Sequence, residues 1–228
     1  MQTRYRMILI CAAVAVAGLG VVFVAASIAD SPAAGALPPV NDALMNKYPM
    51  SVSQAIAKRR SVRSYQPHAL SAEELSLLCW AGQGITDAKS GHRAAPSARA
   101  VYPLTLYVAT DKSLSQYVPQ GHALKQISAG SAQAKLLESG KQPAFGAASV
   151  VFVIAMDAAA ARAKLGASAE KSCYLEAGHV AQNLLLQATA MNLAGVPATG
   201  FDAQKVHDAL ALPANQQIIY LVPVGLPK

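Results

Sequence analysis

Charge is scarce in this sequence: 14% of its residues are charged and 53% are hydrophobic, a balance that excludes a chain disordered throughout. Cysteine is scarce too, with three in 228 residues, and none of the spacings fits a zinc site. Cys11 lies in an apolar N-terminal run and lacks the Leu-x-Gly/Ala setting of a lipoprotein site. Cys79 and Cys173 sit in apolar, helix-like contexts and read as buried free thiols, with pairing in an oxidising compartment as the alternative. Several enzyme classes are missing their mechanical parts. There is no Gly-x-Ser-x-Gly elbow, no Walker loop and no Gly-x-Gly-x-x-Gly, so hydrolase and nucleotide-triphosphatase readings have no support. His-Glu-x-x-His is absent. Glu176 and His179, three residues apart, make only half of a di-iron carboxylate set. His68, His92, His122 and His207 show no ligand spacing, so no metal is expected, and His179 reads as a hydrogen-bonded core residue. There are no internal repeats.

The net charge is +7, and without Arg4 and Arg6 the rest carries about +5, too mild and scattered to argue for nucleic acid. Met7 to Ala29 has no charged residue. As a helix it would be about 34 Å long, enough to cross a bilayer core. Arg4 and Arg6 in front of it predict a cytoplasmic N-terminus and a globular part beyond the membrane. Residues 1–29 therefore read as a signal anchor of the cytoplasmic membrane. The alternative is a signal peptide cut near Ala29, which would release a secreted or periplasmic protein. Residues 30–49, rich in Pro, Ala and Gly at their start, read as a linker. Residues 50–228 are long enough for one domain with a sizeable core.

Within that domain, Met50 to Lys58 has helical apolar spacing. Ser71 and Glu74 form a capping box ahead of a helix that stops at Gly82-Gln83-Gly84. Thr86 to Val101 reads as a polar loop, Leu104 to Ala109 as a strand, and Ala123 to Lys141 as a partly exposed helix. Ser149 to Met156 is a continuous apolar, β-branched run and predicts a central strand. Glu170 to Leu193 predicts the longest helix, with Tyr174, Ala177, Ala181, Leu184, Leu185, Ala188 and Met191 on its apolar face. Asp202 to Leu210 reads as a short helix and Ile218 to Val224 as a last strand. Helices and strands mix without a strict βαβα rhythm, which predicts an α+β fold.

Two segments suit an anionic ligand. Arg59, Arg60, Ser61 and Arg63 place three guanidiniums and a hydroxyl in five residues at a helix end, the geometry of bidentate phosphate binding. A solvated basic helix end explains the same run equally well. Gly195 to Phe201 (GVPATGF) joins two helices through a loop whose amides suit a ligand, or simply connect.

The order of these segments is more telling than any one of them. The succession AIAKRRSVRSY, LSAEELSLLCWAGQGIT, HRAAPSARAVYPLTLYVA, EAGHVAQNLLLQA, GVPATGFD and IIYLVPVGLP resembles the nitroreductase-like flavoprotein family, and its SagB-type dehydrogenase branch most of all, from about Val52 to Lys228. The resemblance implies a mostly antiparallel sheet flanked by helices, and a homodimer with FMN at the interface. It implies phosphate and ribityl contacts from Arg59, Arg60, Ser61 and Arg63. Pro96, Ser97 and Ala98 would reach the flavin of the partner subunit. Gln142 would contact it ahead of the central strand, and Lys228 would be a basic phosphate ligand. Pro197, Ala198, Thr199 and Gly200 would lie against the isoalloxazine, with the amides of Thr199 and Gly200 at its N5/O4 edge, where donors stabilise the anionic reduced ring.

The implied activity is FMN-dependent oxidoreduction of a small molecule, with NAD(P)H or another donor. There are departures. Where azoline-dehydrogenating members resemble Lys-Tyr-Gly, this chain has Lys164-Leu165-Gly166, and the proton-transferring phenol is missing. Arg99 stands where a small residue is frequent. A non-catalytic flavin- or ligand-binding module of a membrane assembly is therefore the rival expectation.

Overall fold

A computed structural model describes residues 35–228. The expected membrane-crossing run, Met7 to Ala29, lies outside these residues. No helix among the described residues is long and apolar enough to span a bilayer.

In chain order the elements are β1 (Gly35–Ala36), α1 (Asp42–Met45), α2 (Val52–Lys58), β2 (Tyr65–Gln66), α3 (Ala72–Gln83), β3 (Ile85–Asp87), β4 (His92–Arg93), β5 (Leu104–Ala109), β6 (Ser113–Val118), β7 (Ala123–Ala129), α4 (Ala132–Gly140), α5 (Pro143–Ala147), β8 (Val150–Asp157), α6 (Ala158–Leu165), α7 (Ala169–Ala190), β9 (Ala194–Gly195), α8 (Ala203–Leu210) and β10 (Gln216–Pro227). The main sheet runs β1-β7-β6-β5-β8-β10-β2, with β9 also on β10. Every ladder in it is antiparallel.

The apolar run of β8 is explained by its place between two helical layers. Val150, Phe152, Ile154 and Met156 face a core built with α3 and α7. Val151, Val153 and Ala155 face a second core that takes Leu136 of α4, Phe145 of α5, and Val206 and Leu210 of α8. A strand alternates its side chains between faces, so a strand covered on both sides has no polar positions to show. β5 is divided in the same way, Leu104, Leu106 and Val108 against Tyr107 and Ala109. Ser71 and Glu74 form the expected capping box of α3, and α7, at 22 residues, is the longest helix among the described residues. Cys79 and Cys173 are both buried and free.

Three expectations need correction. Ala123 to Lys141 is not one helix but strand β7 followed by α4. Gly130, at φ +86°, turns the chain between them, and Ser131 then caps α4 by accepting from the Ala134 N–H. β6 and β7 pair around a tight turn at residues 119–122, and pairing with a neighbour overrides the weak helical spacing of β7. The loop from Thr86 contains the small β3–β4 hairpin. The linker is packed structure from Gly35 onward: β1 pairs with β7, and Leu37 and Leu44 are buried. His122 clasps this strap. Its Nε2 lies 2.7 Å from Ser76 Oγ and 3.1 Å from the Pro38 carbonyl, and its Nδ1 lies 2.7 Å from the Tyr117 hydroxyl.

Candidate flavin site

The basic run leaves the C-terminus of α2 in extended conformation and lies along β9. Ser61 forms a parallel bridge with Gly195, and the Val62 N–H donates to the Gly195 carbonyl at 3.2 Å. Tyr65 locks the run from below. Its buried hydroxyl donates to the Val62 carbonyl at 2.7 Å and lies 3.2 Å from the Pro223 carbonyl. Burial pushes this phenol well above its ordinary range, against the opposing pull of Arg63. Arg63 and Ser61 are exposed and Arg59 is half-buried. Arg60 is turned back: its Nη1 donates to the carbonyls of Ala57 (2.9 Å) and Arg59 (2.8 Å), so its charge caps α2.

The second segment is fixed just as closely. Ala198 exchanges two backbone hydrogen bonds with Leu221 of β10, at 2.8 and 3.1 Å. The Ala198 carbonyl points at β10, and all described peptides are trans. The Thr199 N–H, on the opposite side of that peptide plane, therefore points off the sheet edge. The Phe201 N–H donates to the Thr199 carbonyl at 2.9 Å, which turns the Gly200 N–H the other way by the same reasoning. Gln142, at the start of α5, donates from Nε2 to the Gly200 carbonyl at 2.8 Å. The chain end comes in beside the basic run, where the Lys228 N–H donates to the Ser64 carbonyl at 3.3 Å. Hydrogen bonds thus tie Ser61 and Val62 to Gly195, Lys228 to Ser64, Ala198 to Leu221 and Gln142 to Gly200.

Pro96, Ser97 and Ala98 are tied elsewhere. Ser97 Oγ accepts from the Tyr102 N–H at 2.9 Å, and Arg99 Nη1 donates to the Lys164 carbonyl at 3.0 Å. The turn carries Arg99, Ala100 and Tyr102 at positive φ, between 50° and 54°. Leu165, in place of the phenol, packs on the core. His179 is exposed on α7 and is not the core residue expected of it; Tyr174 is exposed as well.

Glu176 is buried, and one of its oxygens, Oε1, has no hydrogen-bond partner. Burial raises its pKa, opposed by Ser97, Arg93 and Gln83. The Arg93 guanidinium lies 4.5 Å over the Tyr102 ring and donates to Gln83 Oε1 at 2.7 Å. Tyr65, Gln83, Arg93 and Tyr102 lie in the segments that carry the resemblance, but the sequence assigns none of them a place at the site. Only the Arg63-Ser64-Tyr65 order hinted at an inward ring beside the basic run; Gln83 and Arg93 carried no spacing signal.

One antiparallel sheet between two helical layers, with the basic run paired beside β9, defines an α+β protein with the nitroreductase-like fold. The sequence agrees, matching the Nitroreductase family over residues 56–226. The chain belongs to that family. A Methanocaldococcus jannaschii protein named a putative nitroreductase is 31% identical over 183 residues, which cover 77% of this chain and 91% of that one. A crystal structure from Ralstonia eutropha JMP134, of a protein given the same name, superposes with a TM-score of 0.77 at 21% identity and covers 87% of this chain and 91% of that one. A Desulfovibrio desulfuricans protein, again so named, was solved in complex with FMN. It has a TM-score of 0.59 at 25% identity, and the match covers 78% of this chain and 87% of that one.

Proposed function

We propose that this protein is an FMN-dependent oxidoreductase of the SagB-type dehydrogenase kind, passing hydride or electrons from NAD(P)H or another donor to a small-molecule substrate. The observation that carries the reading is the pairing of the basic run with Gly195 at the start of the Gly195–Phe201 loop, with Lys228 bonded to Ser64 and Gln142 to Gly200. The donor set fits FMN: Arg59, Arg63 and Lys228 supply charge and Ser61 a hydroxyl for a phosphate, and outward amides at Thr199 and Gly200 suit the polar edge of the ring. The Desulfovibrio structure with FMN supports the same cofactor. FMN supplies the redox chemistry. The protein's part is to bind the phosphate, orient the ring against a fixed loop, and place N–H donors where reduction adds negative charge.

A homodimer completes the reading. Val52 and Ile56 on α2 and Tyr174 and Leu175 on α7 are exposed apolar side chains that a second copy would cover, bringing Pro96 to Ala98 to the neighbouring flavin. The N-terminal run would hold the domain on the far side of the cytoplasmic membrane, or be cut near Ala29. Leu165 favours one second reading, a flavin-holding module without turnover.

The test is an absorbance spectrum of the purified protein after addition of FMN, followed by NADH, NADPH and dithionite. A bound flavin band bleached by a nicotinamide donor is expected. No flavin retained at saturating FMN overturns the cofactor assignment; a bound flavin that no donor reduces, dithionite included, leaves the module.

A further inference from the structure

The turn after Ser97 is an expensive piece of backbone. Arg99, Ala100 and Tyr102 all have positive φ without being glycine, and such a conformation persists only where its surroundings over-determine it. Tyr102 is the centre of what holds it. The Tyr102 N–H donates to Ser97 Oγ (2.9 Å), and its phenol oxygen accepts from the Arg93 N–H (3.0 Å). Its ring lies under the Arg93 guanidinium at 4.5 Å. Arg93 is in turn fixed from α3, through its 2.7 Å bond to the buried Gln83, and Glu176 in the interior is its counter-charge. A guanidinium stacked on a ring and bonded in its own plane has one orientation. The chain Gln83–Arg93–Tyr102–Ser97 therefore leads from the core to one hydroxyl.

We propose that Arg93 is a positioning residue of the flavin site, acting through Tyr102 to set the Pro96–Ala98 segment and its Ser97 hydroxyl. This rests on the reading that the segment lies against the flavin of the partner subunit. In this role Arg93 need touch neither flavin nor substrate. Its role is to keep the turn in its left-handed form before the cofactor arrives, so that binding does not have to order it.

The experiment is an FMN titration of the full chain and of R93M, R93K, Y102F and S97A, with the S97A/R93M and S97A/Y102F pairs, alongside thermal melts of each without FMN. Y102F keeps the ring for stacking and removes the other tie between the two residues, the phenol oxygen that accepts from the backbone N–H of Arg93, so it serves where R93M does not fold. Weakening of FMN binding by about tenfold is expected for R93M and Y102F, the worth of one hydrogen-bonded contact. R93K recovers only part, since an ammonium does not stack as a plane. S97A adds nothing further to R93M or Y102F, because Arg93 acts through Ser97. A purely structural Arg93 lowers the melting temperature and leaves the S97A loss fully additive, which overturns the proposal. Wild-type affinity in both R93M and Y102F overturns it too. Wild-type protein that retains no FMN sinks the cofactor reading and this proposal together, which separates the two failures.

Discussion

The Val62 N–H donates to the Gly195 carbonyl, 3.2 Å away, across 132 residues of intervening chain. This one bond joins the arginine run after α2 to the loop after α7. Neither segment alone distinguishes a ligand site from an ordinary helix end or connector. The joined segments are held further by Tyr65, which donates to the Val62 carbonyl, by Lys228, whose N–H reaches the Ser64 carbonyl, and by Gln142, which donates to the Gly200 carbonyl.

The three arginines of the run are not equivalent. R59A and R63A should each weaken FMN binding by about tenfold or more, the usual scale of a charge-assisted phosphate contact. R60A should bind FMN nearly as well as wild type and melt slightly lower, because its guanidinium caps α2. Fluorescence titration with FMN and a thermal melt measure the two effects; equal FMN losses at all three positions contradict this division of labour.

Gly195 leaves no room for a side chain. A Cβ there would come within 2.7 Å of the Pro223 carbonyl oxygen and 3.0 Å of a Leu185 methyl. G195A should force β9 off β10, cost about 1–3 kcal/mol as an overpacked site, and disturb the Val62 bond. Urea denaturation and an FMN titration should both show the loss. Weaker FMN binding at unchanged stability would mean that the loop moves independently of the sheet.

Y65F deletes a buried hydroxyl that donates to the Val62 carbonyl and faces the Pro223 carbonyl, leaving two acceptors short of a donor. A destabilisation of about 1–2 kcal/mol follows. FMN affinity should fall with it, since the run loses its support from below. The measurements are a urea midpoint and a titration.

His122 makes stability depend on pH. Burial lowers its pKa, opposed by the bond to the Pro38 carbonyl, so the unfolded chain takes up this proton at a higher pH than the folded one. The stability that neutral His122 contributes is complete above the unfolded value of about 6.5 and is lost as pH falls through the window down to its depressed folded value. Asp87, Asp157 and Asp202, held below the usual carboxylate range chiefly by hydrogen bonds, lose their contributions only below about pH 4. Urea midpoints at pH 8, 6 and 5 should fall in wild type and stay flatter in H122N. Parallel slopes would assign the dependence to other groups.

Much was legible because it is local. Ser71 and Glu74 state a helix start in their own spacing, and the unbroken apolar run of β8 states that it is covered on both faces. The strand β7 was not legible. Its alternation is weak, and what makes it a strand is the partner β6 across a turn at residues 119–122, with Gly130 to end it. The segment before α2 is illegible for a similar reason: Pro, Ala and Gly suit a spacer, yet the Leu37 N–H and the Pro38 carbonyl find partners in His122 and Ser76, far along the chain.

For the site, the sequence by itself determined the materials: which short runs carry arginine, hydroxyl and glycine, and an order of motifs that resembles one family. Chain order is a one-dimensional property, and it survives without coordinates. Tertiary structure alone decided what each residue faces. It turned Arg60 onto its own helix and left Arg63 exposed and Arg59 half-buried. It put His179 on the surface and Glu176 in the interior, one turn of the same helix apart. It stacked Arg93 on Tyr102 beneath a strained turn. Direction is set by hydrogen bonds and packing between segments distant in sequence, and no spacing along the chain records it.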